Sequence, residues 1–180
     1  MSTAVVVRPV VPRSAEADAP VAELYRTHRL AMVRLATLLV DDRETAEDVV
    51  QDAFGALHRK WGSLASTDAA IGYLRVCVVN GSRSILRRRR TVRTHWRSED
   101  GLSAESADAP ALLAAEHQQV LTALAKLPRR QREVIVLRYW SELSEAAIAA
   151  TLGISQGAVK STASRARDAL AALLTEEGLS

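Results

Sequence analysis

The sequence predicts an all-α protein: two small helical domains joined by a flexible linker. Three observations lead there. Apolar residues recur at intervals of three and four, with no convincing period-two alternation. Ser, Asp, Pro and Gly fall where helices start and stop. Between the two periodic halves lies "RSEDGLSAESADAP", rich in Ser, Ala and acid and poor in apolar residues, which reads as a linker over residues 96–111. A length of 180 residues suits one ordinary domain or two small ones, and 48% hydrophobic content is enough for packed cores. Scarce aromatics and abundant alanine favour small helical units over a β-sandwich.

Residues 1–19 carry Val-rich scraps, prolines and "RSAEADA", and read as a flexible tail. From Pro20, suited to a first helical turn, the stripe Val21, Leu24, Tyr25, His28, Ala31, Met32, Leu35 and Leu38 predicts a helix to about Val40. "DDRE" restarts the chain. Asp41 or Asp42 can cap the next helix, and Asp41 with Glu44 has capping-box spacing. That helix runs to about Trp61, with Ala46, Val49, Val50, Ala53 and Leu57 inward. Gly62 ends it, and Thr67 or Asp68 is the expected cap of a third helix from about Ala69 into the arginine block. Gly81 is a weak point in its middle. The first domain is thus residues 20–95.

In the second domain, residues 112–175, a helix is expected over about Ala111–Ala125. Pro128 opens another to about Trp140. Ser144 caps a short helix to Leu152, Gly153 follows as its C′ residue, and Ser155 caps the last helix to about Thr175.

The formal net charge is only +3, with a sequence pI of about 9.4, but its distribution is uneven. "SRSILRRRRTVRTHWR" is followed directly by "EDGLSAESAD", a polyanion-binding surface beside a tether. Cys77 is the sole cysteine and lies in the apolar run "YLRVCVVN", so it reads as a small core residue in a reducing compartment. No run of about 18 apolar residues exists to cross a membrane, and "AVVVRPVVP" is too interrupted for a signal peptide. A cytoplasmic protein without membrane association is expected. His28, His58, His95 and His117 have no ligand spacing, and no nucleotide-binding glycine loop is present. The expectation is therefore no enzyme, no metal and no cofactor.

The last two helices carry the sharpest signal. In "SEAAIAATLGISQGAVKSTASRARDAL", Val159, Ala163, Ala166, Leu170 and Leu173 form an inward stripe, and Ala147, Ile148 and Leu152 are inward on the preceding helix. Ser155, Gln156, Ala158, Lys160, Ser161, Ser164 and Arg165 are left as a small, polar and basic face. A steep helix pair across a glycine is the helix-turn-helix arrangement, whose second helix enters the major groove. Small side chains permit close approach, Lys160 and Arg165 can reach phosphates or guanine edges, and Gln156 can read adenine. A solvated charged helix is the plainer alternative.

The wider run "LPRRQREVIVLRYW…SEAAIAATLGISQGAVKSTASRARDAL" resembles region four of bacterial sigma factors, most of all the small extracytoplasmic-function type. LuxR-type regulators share only its inner half. Independently, "YRTHRLAMVRLATLLVDDRETAEDVVQDAFGALHRKW" and "AIGYLRVCVVNGSRSILRRRR" resemble region two, closest to the actinobacterial sigma-E-like branch. The likeness covers about residues 22–95 and 115–174. It implies a factor that binds core RNA polymerase through the β′ clamp helices and the β flap, and directs promoter recognition, DNA opening and initiation.

Carried onto this chain, the resemblance assigns Glu44, Glu47, Asp48, Gln51 and Asp52 to a polymerase-binding face, with Phe54 as its apolar anchor. Without it, that face reads as solubilising charge. Arg75, Asn80, Arg83, Arg87 and Arg88 fall to the downstream promoter element. Ser63, in the loop Gly62–Asp68, falls where the family captures a flipped base. Thr162 stands where many relatives carry Arg or Gln, implying one upstream contact fewer. Tyr73 replaces the commoner Trp, and Gly81 interrupts the third helix. An anti-sigma protein is a partner the sequence leaves open. The rival readings are a helix-turn-helix repressor or activator acting without core polymerase, and a helical adaptor.

Overall fold

The computed structural model describes residues 13–40, 42–95 and 111–178. These form α1 (Arg13–Val40), α2 (Arg43–Lys60), α3 (Thr67–His95), α4 (Ala111–Lys126), α5 (Arg129–Tyr139), α6 (Glu145–Leu152) and α7 (Gln156–Gly178), with a 3-10 turn at Trp61–Ser63. No strand occurs among the described residues. Helices α1–α3 make one module and α4–α7 a second. The expected linker, apart from its last residue Ala111, and residues 1–12 of the expected tail lie outside the described residues.

Helix α1 begins at Arg13, so residues 13–19 are helical and Pro20 sits inside the helix instead of opening it. Packing outweighs the proline: Ala17 is fully buried, extending the stripe of Val21 and Leu24 by one turn. Asp18 lies 2.8 Å from the His58 ring on α2.

Asp42 caps α2, its Oδ1 accepting from the Thr45 amide at 2.8 Å. Asp41, and with it the expected capping box, lies outside the described residues. Arg89, at the far end of α3, donates to Asp42 Oδ2 at 2.8 Å and to Thr45 Oγ1 at 2.7 Å. One guanidinium thus ties the α1–α2 corner to α3. Ala46, Val49, Val50, Ala53 and Leu57 are buried as the periodicity requires.

The cap of α3 is Ser66, neither Thr67 nor Asp68: its hydroxyl accepts from the Ala69 amide at 3.2 Å. Nor does Gly81 interrupt the helix, which runs unbroken through it. A Cβ at Gly81 would lie 3.1 Å from Val49 Cγ1. The missing side chain lets α2 and α3 approach closely, and that packing offsets the low helix propensity of glycine. Cys77 is half-buried; burial raises its thiol pKa against a hydrogen bond with Tyr73.

The second module is built on α5, whose Val134–Leu137 run is buried, and α5 and α7 pack together. The two modules also touch each other, through α3 with α6 and through α1 with α4 and α5. At this boundary Glu133 of α5 is only 2% exposed. Arg83 of α3 grips both its carboxylate oxygens, at 2.7 and 2.8 Å. Elsewhere between the modules a cleft of about 270 Å³ is lined by His28, Arg34 and Leu35 of α1, Arg75 of α3, and Trp140 and Glu142. Arg75 Nε is buried without a hydrogen-bond partner, and burial lowers its pKa. No described helix is long and apolar enough to cross a membrane.

Asp42→Ala removes a cap and is expected to lower stability by about 0.5–2 kcal/mol. Burial alone would raise the Asp42 carboxyl, but hydrogen bonds from Thr45 and Arg89 hold it below its ordinary value of 3.8. Its folded pKa is depressed, so its contribution is complete above that value and fades as pH falls through the folded pKa. Urea denaturation of both proteins from neutral pH into acid is expected to give curves that converge at low pH.

Candidate nucleic-acid interface and acidic face

The turn between α6 and α7 is built by three local devices. Ser144 Oγ accepts from the Ala147 amide at 3.2 Å and starts α6. Gly153 ends it in the left-handed conformation, φ 65°, which glycine adopts without a Cβ penalty. Ser155 Oγ then accepts from the Ala158 amide at 3.1 Å and starts α7. Inward, Val159, Ala163 and Ala166 are buried. Outward, Ser155, Gln156, Lys160, Ser161, Ser164 and Arg165 are exposed, with Ala158 half-buried at their edge. Arg165 Nε donates to the Ser161 carbonyl at 3.2 Å, and Lys160 Nζ is 3.8 Å from Glu145. The result is one continuous strip of small, polar and cationic groups with room for a backbone to approach.

Thr162 is 6% exposed and packs inward. The difference expected there from Arg- or Gln-bearing relatives therefore does not fall on the outward strip in this chain.

On α3, Asn80, Arg87 and Arg88 are exposed, while Arg75 is half-buried beside the inter-module cavity. Arg83 is 21% exposed at its side chain. It also donates to Asn80 Oδ1 at 3.2 Å. The Glu133 carboxylate raises its pKa by more than burial lowers it. Asn80, Arg83, Ser84 and Arg87 share a crevice with Arg129 of α5. Ser63 is exposed on the 3-10 turn, its hydroxyl donating to the Lys60 carbonyl at 2.9 Å, and is not part of that crevice. The arginine block thus divides: Arg87 and Arg88 face solvent, whereas Arg89 is engaged with Asp42 and Thr45.

On α2, Glu44, Asp48, Gln51 and Asp52 are exposed. Glu47 is half-buried, 3.0 Å from Arg43 and 3.9 Å from Arg29. Phe54 is 5% exposed and cannot be a surface anchor. It lies edge-to-face against Tyr25, centroids 5.0 Å apart; Tyr25 is the exposed ring there, with Arg29 stacked over it at 5.8 Å. Phe54, four residues after Val50, lies at the edge of the inward stripe of α2, where it packs against Tyr25 of α1. No group of metal-ligating side chains gathers among the described residues.

Comparison with known proteins gives two family matches in chain order: "Sigma-70 region 2" over residues 24–92 and "Sigma-70, region 4" over residues 117–170. The RNA polymerase sigma-E factor of Streptomyces avermitilis is 33% identical over 144 residues, 80% of this chain and 79% of its own length. The ECF RNA polymerase sigma factor SigM of Mycobacterium tuberculosis is 36% identical over 152 residues, 84% of this chain and 76% of its own. Among solved structures, the sigma factor RpoE of Bartonella quintana, co-crystallised with the anti-sigma factor NepR, superposes with a TM-score of 0.69. It is 27% identical, and the match covers 85% of this chain and 97% of that one. CnrH, in complex with the cytosolic domain of CnrY, gives 0.67 at 27% identity, covering 91% and 96%.

Thr162→Asp is expected to destabilise the second module, because the carboxylate would be buried without a partner. The expected loss is about 3–5 kcal/mol, read from the midpoint of urea denaturation; a stability within about 0.5 kcal/mol of wild type would return Thr162 to the surface.

Proposed function

This chain belongs to the sigma-70 family, as a factor of the extracytoplasmic-function type, and from that premise we propose which of its helices performs which part of the work. It is a sigma factor, not an enzyme: it binds core RNA polymerase and directs promoter recognition and DNA opening. The observation that carries the finer assignment is the α7 strip, small and cationic outward, with Val159, Ala163 and Ala166 buried inward and Leu170 and Leu173 half-buried beyond them. Helix α7 enters the major groove of the upstream element. Lys160 and Arg165 reach phosphates or guanine edges there, and Gln156 reads a base.

Helix α3 meets the downstream element. Arg87 and Arg88 contact phosphates, with Asn80, Arg75 and Arg83 further along the helix toward the melted strand. The loop Gly62–Asp68, with Ser63, holds an unpaired base by its backbone and short polar groups. The exposed carboxylates Glu44, Asp48 and Asp52, with Gln51 and the half-buried Glu47, meet the clamp helices of β′, where opposite charge steers docking. Tyr25, backed by Phe54, supplies the apolar contact. The second module meets the β flap. Each DNA contact is weak alone; core fixes both modules at the spacing of the two elements, so they act together at high effective concentration. The two solved relatives described above carry bound partners, NepR and CnrY, and an anti-sigma protein is the corresponding partner for this chain, in the cytoplasm where polymerase works.

Two measurements test this. Reversal of Asp48 and Asp52 to Lys is expected to abolish pull-down by core polymerase with helix content unchanged, since both side chains point to solvent; wild-type recovery would reduce α2 to a solvated face. Lys160→Ala and Arg165→Ala are each expected to weaken promoter use in reconstituted transcription. A lost base contact costs about 1–3 kcal/mol, and a lost phosphate contact lowers the salt slope by about one. Unaltered initiation and salt dependence in both would remove α7 from the promoter interface.

A further inference from the structure

From the boundary between the modules we infer that the Arg83–Glu133 ion pair is a latch that holds the factor closed and withholds Arg83 from DNA. The inference rests on the reading of Arg83 as a promoter contact. Glu133 holds Arg83 in the manner of a phosphate: two oxygens, at 2.7 and 2.8 Å, on Nε and Nη2 of one guanidinium. Such two-point recognition of an anion is the strong geometry for arginine. A guanidinium edge used in this way cannot at the same time grip a nucleic-acid phosphate.

The pair can open because Glu133 is not abandoned when Arg83 leaves. Arg130 lies 3.3 Å and Arg129 3.7 Å from its carboxylate, both on the same helix. The buried charge keeps partners within its own module, so separation does not leave it orphaned. The rest of the boundary packs α3 on α6 and α1 on α4 and α5, but that packing is incomplete: an open cleft lined by Arg75 and Trp140 lies between the modules, and Arg75 Nε is buried there without a partner. Access is also provided: the crevice lined by Asn80, Arg83, Ser84, Arg87 and Arg129 opens beside the pair. A phosphate in that crevice lies among the exposed Arg87 and Arg129 and competes with Glu133 for Arg83. The outward strip of α7 and the Arg87 and Arg88 side chains of α3 are exposed in the same closed form, so the latch withholds Arg83 and leaves the remaining DNA-facing groups free.

The test compares the full-length wild type with Glu133→Gln and Arg83→Gln, each checked for helix content by circular dichroism. Arg83→Gln leaves Glu133 with Arg129 and Arg130, so it opens the latch without stranding a charge even if Glu133→Gln is poorly folded. Spin labels at Arg59→Cys and Ala172→Cys in a Cys77→Ser background, one on each module, report their separation by double electron–electron resonance. Binding of a fluorescent single-stranded DNA oligonucleotide is measured across salt concentrations. Both variants are expected to show longer and broader distances than wild type. Only Glu133→Gln, with Arg83 freed, is expected to bind the oligonucleotide more tightly, with a slope of log affinity against log salt steeper by about 0.7, the value of one added phosphate contact on a single strand. Wild-type distances in both variants overturn the latch. Longer distances without the steeper slope in Glu133→Gln leave the latch in place and overturn the assignment of Arg83 to DNA.

Discussion

A carboxylate taken out of water must be neutralised where it lies, and the arrangement of this molecule turns on how that is done for Glu133. It sits in "REVIVL", among side chains that are buried because α5 is the core of its module. Arg129 and Arg130 reach it from the preceding turn, but the direct two-point grip comes from Arg83, fifty residues earlier and in the other module. The packing of α3 on α6 and of α1 on α5 accompanies that one contact. Ion pairs at the surface contribute little, but a pair with one partner almost wholly buried is far less screened.

What the sequence made legible was local. Ser144, Gly153 and Ser155 stand at their expected places because caps and left-handed turns are decided within a few residues. The inward stripe of α2 and that of α7 follow from period alone. The boundaries that moved did so for tertiary reasons. Helix α1 extends back to Arg13 because Ala17 finds a fully buried place, something no alanine advertises. Ser66 caps α3 because the helix already begins at Thr67, and Ser66, Thr67 and Asp68 offer similar capping chemistry in sequence. Gly81 is a weak helix residue by propensity alone, and its reason lies in Val49 of α2, which occupies the space of its missing side chain.

The candidate site was legible as a set of faces and less so residue by residue. The exposed strip of α7 and the acids of α2 lie where their spacing puts them. Phe54 and Thr162 turned inward, because a residue at the edge of an amphipathic stripe is assigned by its neighbour across the interface. The arginine run is the clearest case: Arg87, Arg88 and Arg89 are chemically identical, yet Arg89 is a structural staple for Asp42 and Thr45 while the other two face solvent. Nothing in the sequence singles out Glu133, whose charge reads as an ordinary outward acid of a helix.

The close approach at Gly81 has a mechanical meaning. Val49 lies on the buried side of the helix that carries the acidic face, and Gly81 on the helix that carries the arginines. At that point a Val49 methyl group is set directly against the Gly81 backbone, with no further side chain between the two helices. Close-packed interiors transmit displacement with little give. A partner that fixes the orientation of α2 therefore fixes that of α3 as well, and the two surfaces behave as opposite sides of one stiff plate whose thickness is set by an absent methyl group.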